Sequence, residues 1–278
     1  MPKSIILVKI LLVISFLHIL PSQASLLISP LRAMLNERDR SATIILINSG
    51  DKTRTYRVGW TEKSVTPAGG YHELTKAEQK KFPIASPMLR VSPRQVTLAP
   101  GERQMVKVAA RRPKGLADGE YRSHLTFTIL PEKNLVEERD IQRAAGIKLN
   151  VFLNYSIPVL FRQGNLTHKS TIKAVKLVKN KKTGTVNIHV NMSHAGKFST
   201  TGSIFAYWTP NGSDKETLVG TLNSVNFFPE VPNRMFTLMG QKFNPKKGKL
   251  RVIYEGRKEF VNQVFHEKTF SMTANDIN

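Results

Sequence analysis

The sequence contains no cysteine among its 278 residues. This absence excludes disulfide bonds, zinc–thiolate sites and cysteine nucleophiles, so an exported form of the chain must hold its fold by core burial alone. Acidic residues are also few, with 20 Asp and Glu against 42 Lys and Arg, which gives a formal net charge of +22. A field of this sign attracts polyanions, anionic lipid and acidic partners, and it repels other copies of the chain.

Long apolar runs are missing except at the N-terminus. Residues 1–24 combine Lys3 and Lys9 with an apolar run over 10–20 and small residues at 22–24, which is typical of a secretory signal peptide. The run is short for a membrane span, and a retained N-terminal anchor is the alternative. We therefore expect an exported chain without stable membrane insertion. Because the basic residues are dispersed along an exported chain, we expect no nucleic-acid partner.

Recognisable catalytic motifs are also missing. The sequence has no G-x-S-x-G nucleophile elbow, no P-loop and no HExxH metal motif. His189 and His194 lie five residues apart, and their spacing is a weak match to a metal site. We expect no enzymatic activity, no catalytic residues, no cofactor and no metal, with a dispersed active site as the alternative.

Short segments with period-two alternation, separated by turn residues, fill the rest of the chain. One series covers 25–163 and a second covers 170–272, with turn sequences such as APGE at 99–102 between the segments. The pattern predicts an all-β fold of two β-sandwiches. We expect a signal peptide over 1–24, an N-terminal domain over 25–163 and a C-terminal domain over 164–278.

Two segments of the predicted N-terminal domain, 25–35 and 64–87, differ in their patterns. Residues 25–35 are expected to form a single opening strand. Residues 64–87 interrupt the series, because they contain proline and a pair of glycines followed by a helix-compatible stretch at 74–81. We interpret them as an insertion between strands that contains about two helical turns.

The segment 146–163 alternates for longer than a strand of one domain requires. Strands usually run about five or six residues, so a strand of this length either crosses two sheets or leaves an apolar edge open to another chain. The alternative is an ordinary buried strand followed by a linker. The apolar residues that share one parity are Ile147, Leu149, Val151, Leu153, Tyr155, Ile157, Val159 and Phe161.

Five segments together resemble the periplasmic pilus-assembly chaperones of the chaperone–usher pathway, in the branch with non-classical subunits. The more specific matches are GEYRSHLTF at 119–127 and SIPVLFR at 156–162. The looser matches are LISPLRAML at 27–35, SATIILIN at 41–48 and SPRQVTLAPGE at 92–102. The C-terminal half matches only in kind, as a β-sandwich of suitable length.

The resemblance implies a fold and a mechanism. Members of this family have two immunoglobulin-like domains arranged in an L, and they act in the periplasm without a nucleotide or other cofactor. They bind pilus or fimbrial subunits by lending a strand to an incomplete sandwich, which is donor-strand complementation, and an outer-membrane usher later accepts the complex. An exported β-sandwich adhesin or structural surface protein, and a secreted polyanion binder, are the alternatives.

The resemblance also implies site residues. Arg32 lies where the family has a cleft arginine that anchors the C-terminal carboxylate of the subunit, a role suited to the two parallel N–H groups of a guanidinium. The classical members have a lysine near the end of the long strand, where this chain has Pro158, so Arg122 and Arg162 are the candidates for the second charge. The donor-strand positions are Leu149, Val151 and Leu153. The same residues could equally serve the core of the chain itself, and each arginine could be an ordinary surface residue.

Overall fold

The computed structural model describes residues 26–131, 153–165, 168–179, 184–240, 245–273 and 276. Strands dominate these ranges, and the longest helix has four residues, so the expected all-β class is confirmed. No helix within the described ranges is long and apolar enough to cross a membrane. The predicted signal peptide 1–24 and the donor positions Leu149 and Val151 lie outside the described residues.

The strands of the first half are β1 (Leu27–Ser29), β2 (Ala33–Asn36), β3 (Ser41–Ile47), β4 (Arg54–Thr61), β5 (Lys63–Val65), β6 (Tyr71–Glu73), β7 (Leu89–Ser92), β8 (Gln95–Leu98), β9 (Arg103–Ala110), β10 (Gly119–Leu130) and β11 (Tyr155–Gln163). The strands of the second half are β12 (His168–Lys179), β13 (Val186–Gly196), β14 (Thr200–Pro210), β15 (Thr217–Phe227), β16 (Asn233–Met239), β17 (Gly248–Gly256) and β18 (Val264–Met272). The helix α1 spans Lys76–Gln79, and 3-10 turns span Ser86–Met88 and Lys258–Phe260.

The first half forms a sandwich of two sheets, with strand orders β1-β3-β9-β7 and β2-β11-β10-β4-β8. Alternate residues of these strands point inward, as the period-two pattern requires. Tyr56, Phe127 and Phe161 are fully buried members of the resulting core. The second half forms a separate sandwich, with strand orders β12-β13-β16 and β15-β14-β17-β18 around Phe227 and Tyr254.

The junction between the sandwiches lies between β11, which ends at Gln163, and β12, which begins at His168. In the described ranges, no strand of one sandwich pairs with a strand of the other. The division at residues 163 and 164 that we expected from the sequence lies within this junction, where Gly164 adopts a positive φ of 79°. A glycine tolerates this conformation because it has no Cβ.

The opening segment forms two strands, so the single strand expected over 25–35 is wrong. β1 pairs with β3 in one sheet, whereas β2 pairs in parallel with β11 in the other sheet. Pro30 lies between them, and a proline cannot donate the backbone hydrogen bond that a continuous ladder would need. The chain therefore crosses from one sheet to the other immediately before Arg32.

The insertion at 64–87 consists of a hairpin and one short helix. β5 and β6 pair antiparallel around a turn in which Gly69 has a φ of 90°. The helix α1 has one turn rather than the expected two, and its N-terminus has a capping box in which Thr75 and Glu78 exchange hydrogen bonds. The hairpin was not predicted, because β6 is exposed and polar and lacks an alternating pattern.

The long segment is described from residue 153 onward. Ile157, Val159 and Phe161 belong to the core of the first sandwich, so the alternation within β11 serves the chain's own fold. Leu153 precedes β11 and is 51% exposed. The donor role of the upstream part stays a prediction.

Candidate functional site: the cleft between the two sandwiches

One edge of β11 is only partly covered. β11 pairs antiparallel with β10 along its whole length. It pairs with β2 only from Val159 to Arg162, where Val159 lies opposite Ala33. Among the described residues, 156–158 therefore have β10 as their only sheet neighbour. The reason is the crossing of the opening segment, which places β1 in the other sheet and leaves this stretch of β11 without a second neighbour.

Arg162 is the centre of a buried network at the junction of the two sandwiches. Its Nε donates to Glu120 Oε2 (2.9 Å), its Nη1 to Glu259 Oε1 (3.2 Å) and its Nη2 to the Ser199 carbonyl (2.8 Å). The side chains of Arg162 and Glu120 are only 6% and 3% exposed. Ser199 Oγ also donates to Glu120 Oε2 (2.8 Å). Every guanidinium nitrogen of Arg162 therefore already has an acceptor. We call Arg162, Glu120, Glu259 and Ser199 the junction network.

Arg32 lies next to this network, just before β2. Its Nη2 donates to Glu259 Oε1 (2.7 Å) and its Nη1 to Thr201 Oγ1 (2.6 Å). Arg32 and Arg162 thus share one carboxylate oxygen, which comes from the 3-10 turn of the second sandwich. The structure brings these two predicted site residues together. Their guanidinium groups can hold a carboxylate, and in this state the carboxylate is that of Glu259, whose side chain is 28% exposed.

Arg122 has different partners from Arg32 and Arg162. Its Nη2 forms an ion pair with Glu230, and its guanidinium lies over the Phe228 ring at 4.4 Å from the centroid. The Val65 amide also donates to Glu230 Oε1 (3.2 Å), and Val65, Phe228 and Val231 form a small apolar cluster. We call these five residues the hairpin contact, because they join the β5–β6 hairpin and β10 to the second sandwich.

His124 lies on β10 beneath the hairpin, and the sequence did not single it out. Its side chain is 1% exposed, and its ring packs edge-to-face on Tyr71 with centroids 4.9 Å apart. Neither ring nitrogen has a hydrogen-bond partner in the described part of the chain. Burial, together with the positive charges of Arg122 and Lys63, lowers the pKa of His124 to about 3.

The acidic partners Glu230 and Glu259 were also missed at the level of sequence. Glu259 lies 227 residues from Arg32, and Glu230 lies 108 residues from Arg122. No local pattern indicates pairings over such distances.

The described residues contain no group of three or more potential metal ligands. His194, which together with His189 gave the weak match to a metal site, has hydrogen-bond partners at both ring nitrogens. Its Nδ1 lies 3.0 Å from Ser170 Oγ and its Nε2 lies 2.8 Å from the Phe198 carbonyl. Burial lowers the pKa of His194 below its usual value. The ring is therefore placed as a hydrogen-bonded part of the second sandwich.

The sequence profile of the family described as pili and flagellar-assembly chaperone, PapD N-terminal domain, matches residues 25–166. This match covers half of the chain and the whole of the first sandwich. The chain therefore belongs to this family, the pilus-assembly chaperones of the chaperone–usher pathway, and the family expected from the sequence is confirmed.

The solved structures to which this chain is similar include chaperones. The YadV chaperone is 12% identical, with 89% of this chain and 100% of that chain covered and a TM-score of 0.48. The Pseudomonas aeruginosa CupB2 chaperone is 10% identical, with 89% and 99% covered and a TM-score of 0.45. A chain of the Salmonella enterica SafA pilin–SafB chaperone complex is 12% identical, with 89% and 96% covered and a TM-score of 0.43. A comparison with curated protein sequences gave no match.

Proposed function

We propose that this protein is a periplasmic chaperone that binds pilus or fimbrial subunits by donor-strand complementation and delivers them to an outer-membrane usher. The observation that carries the proposal is the partly covered edge of β11 at 156–158, preceded by the exposed side chain of Leu153. An open edge of this kind accepts an added strand, whose backbone hydrogen bonds supply affinity while alternate side chains supply specificity. Membership of the chaperone family supports the same function.

The direction of β2 suggests how a subunit strand would lie. β2 runs parallel to β11 and begins at Ala33, opposite Val159. A subunit strand that occupies the same line further upstream, in the same orientation, ends next to Ala33. Its C-terminal carboxylate then lies beside Arg32, while Leu149, Val151 and Leu153 face the groove of the subunit.

Arg32 can serve this carboxylate by exchanging partners. Its Nη2 now donates to Glu259, which is partly exposed and can return to solvent when another carboxylate arrives. Arg162 is less suited to the same role, because it and its partner Glu120 are only 6% and 3% exposed, whereas Glu259 is 28% exposed. Arg122 is about as buried as Arg32, but its partner Glu230 is 17% exposed and is held in the hairpin contact. We therefore propose Arg32 as the principal anchor.

The test is to change the donor strand. Val151→Asp is expected to abolish subunit binding, because burying an unpaired carboxylate in an apolar groove costs several kcal/mol. The subunit is first recovered with tagged chaperone from the native periplasm, identified by mass spectrometry and then co-expressed with each variant. The measurement is the yield of the purified complex.

The matched control is Met105→Asp, which places the same charge at an exposed apolar residue of the opposite sheet and is expected to leave binding unchanged. The free variants are compared by thermal unfolding. Normal binding by the Val151 variant would remove strand donation as the mechanism, and unfolding of this variant alone would assign Val151 to the protein's own core.

A further inference from the structure

At Pro158, β11 has no charged side chain, but Lys63 of another strand reaches the same face of β11. Pro158 follows Ser156 by two residues, so both side chains lie on the face of β11 opposite the core residues Ile157 and Val159. Lys63, on β5 of the hairpin, extends across this face, and its Nζ donates to Ser156 Oγ at 3.0 Å. An ammonium group is thus present on the same face as Pro158 and two residues from it, although β11 itself does not supply it.

Lys63 differs from the three arginines in its charge balance. Arg32, Arg122 and Arg162 are each paired with a carboxylate of the protein. Lys63 contacts a neutral hydroxyl, and in the described ranges it forms no ion pair. An ammonium group has three donors, and the contact with Ser156 uses one of them. Lys63 therefore keeps both charge and hydrogen-bonding capacity for an incoming anion.

Lys63 and Arg32 lie on either side of the place where an added strand would end. Ser156 precedes Val159 by three residues, about 10 Å along the strand, and Val159 lies opposite Ala33, the neighbour of Arg32. The added strand lies one spacing, about 4.8 Å, from β11. To meet the carboxylate of that strand, the flexible side chain of Lys63 leaves Ser156 and extends by about this distance. Arg162 has the same parity as Ser156, so both side chains lie on one face of the sheet. Because Arg32 shares Glu259 with Arg162 and Lys63 contacts Ser156, Arg32 and Lys63 also lie on this face.

The hairpin contact holds Lys63 in position. Arg122 Nη2 lies 3.5 Å from the Lys63 carbonyl, and the nearby Val65 amide donates to Glu230 of the second sandwich. β5 also pairs with β6, where Lys63 lies opposite Glu73. The backbone of Lys63 is thus fixed from both sides, while its ammonium group remains over β11.

We propose that Lys63 is the second cation that recognises the C-terminal carboxylate of the bound subunit, together with Arg32. This inference rests on the proposed function, and it assigns to the inserted hairpin a charge that β11 lacks at Pro158. The site then selects a strand that ends in a free carboxylate at this position, because only such a strand supplies an anion to both cations.

The experiment compares two subunits and four chaperones. The probes are the subunit identified as above and the same subunit extended by two C-terminal glycines, which moves the carboxylate away from the site. The chaperones are wild type, Lys63→Gln, Lys63→Arg and the control Lys107→Gln, which removes the charge of an exposed lysine on β9. Apparent dissociation constants are measured by competition between chaperones.

Lys63→Gln is expected to weaken binding of the native subunit about tenfold, the size of one charge-assisted hydrogen bond, and to leave binding of the extended subunit unchanged. Lys63→Arg and Lys107→Gln are expected to bind both subunits as wild type does. Equal weakening for both subunits would show a merely structural role, and no weakening for either would also overturn the proposal. The two proposals fail separately: if Val151→Asp abolishes capture and Lys63→Gln does not weaken it, strand donation stands and the role of Lys63 falls.

Discussion

The two contacts that join the sandwiches differ in construction. The junction network places Arg162 and Glu120 almost entirely out of water and connects them through hydrogen bonds to Glu259 and Ser199. The hairpin contact combines one ion pair, in which Glu230 is 17% exposed, with a small cluster of apolar side chains. The first contact arises from β10 and β11, which are central strands of a sheet. The second depends on an insertion that belongs to neither sandwich sheet.

This difference shows that burial determines how much stability is lost when one partner of an ion pair is removed. Within the junction network, removing one partner leaves the other charge buried without compensation, and this is a large penalty. In the hairpin contact a partly exposed carboxylate can recover its hydration, so the loss is smaller. We therefore expect the junction network to matter more for the stability of the folded protein, whereas the hairpin contact matters more for the position of Lys63.

The largest expected effect is that of Arg162→Ala. It leaves Glu120 buried and unpaired, so it should lower the free energy of unfolding by about 3–5 kcal/mol. The measurement is urea denaturation followed by fluorescence. Arg251→Ala is the matched control, because Arg251 also contacts two carboxylates, Glu216 and Glu267, but on an exposed surface. The control should cost less than about 1 kcal/mol, and similar losses for both variants would contradict the distinction between buried and exposed pairs.

An intermediate effect is expected for Arg122→Ala. The change removes the ion pair with Glu230 and the cation–π contact with Phe228, and it should cost about 2–3 kcal/mol. It should also release the hairpin, so limited proteolysis is expected to cleave the turn near Gly69 faster than in the wild type. A loss as large as that of Arg162→Ala, or an unchanged rate of cleavage, would show that the two contacts do not differ as described.

The smallest expected effect concerns pH and His124. The pKa of His124 is about 3 in the folded protein, below its ordinary value of 6.5, so between these values the unfolded chain binds the additional proton. Stability contributed by the neutral ring is therefore present above pH 6.5 and is lost as the pH falls towards 3. At pH 5 the loss is about 2 kcal/mol.

His124→Phe keeps an aromatic ring against Tyr71 and should remove this part of the acid destabilisation. The measurement is the difference in unfolding free energy between pH 7.5 and pH 5, which should be smaller for the variant than for the wild type. His72→Phe is the control, because the His72 side chain is 52% exposed. If both variants keep the pH dependence of the wild type, His124 is not held neutral by its surroundings.

Much of the fold could be predicted from the sequence because strands and turns have local causes. Alternation predicted two series of strands, and the predicted turn at 99–102 is present, with Gly101 in the positive-φ conformation that glycine tolerates best. The hairpin at 63–73 escaped prediction because its second strand is polar on both faces and is stabilised by contacts with β10 and the second sandwich. Propensity within the segment does not include those contacts.

The candidate site could be predicted only in part. Arg32 was predicted to be a site residue from its segment, and this role stays a prediction; the structure places its neighbour Ala33 at the end of the partly covered edge of β11. The sequence did not reveal that Arg32 shares Glu259 with Arg162, or that Lys63 reaches Ser156. Both contacts join segments that are distant in the chain, and the position of each depends on how the sheets and the hairpin pack.

By itself, the sequence determined the all-β class and the family, because alternation, turn residues and local motifs act over a few neighbouring residues. Only the tertiary structure decided the crossing of the opening segment between sheets, the partly covered edge of β11 and the partner of each arginine. The physical reason is that electrostatic pairing depends on distance and burial in the folded protein. Any of the 20 acidic residues was a conceivable partner until the packing of the two sandwiches selected Glu259 for Arg32 and Glu230 for Arg122.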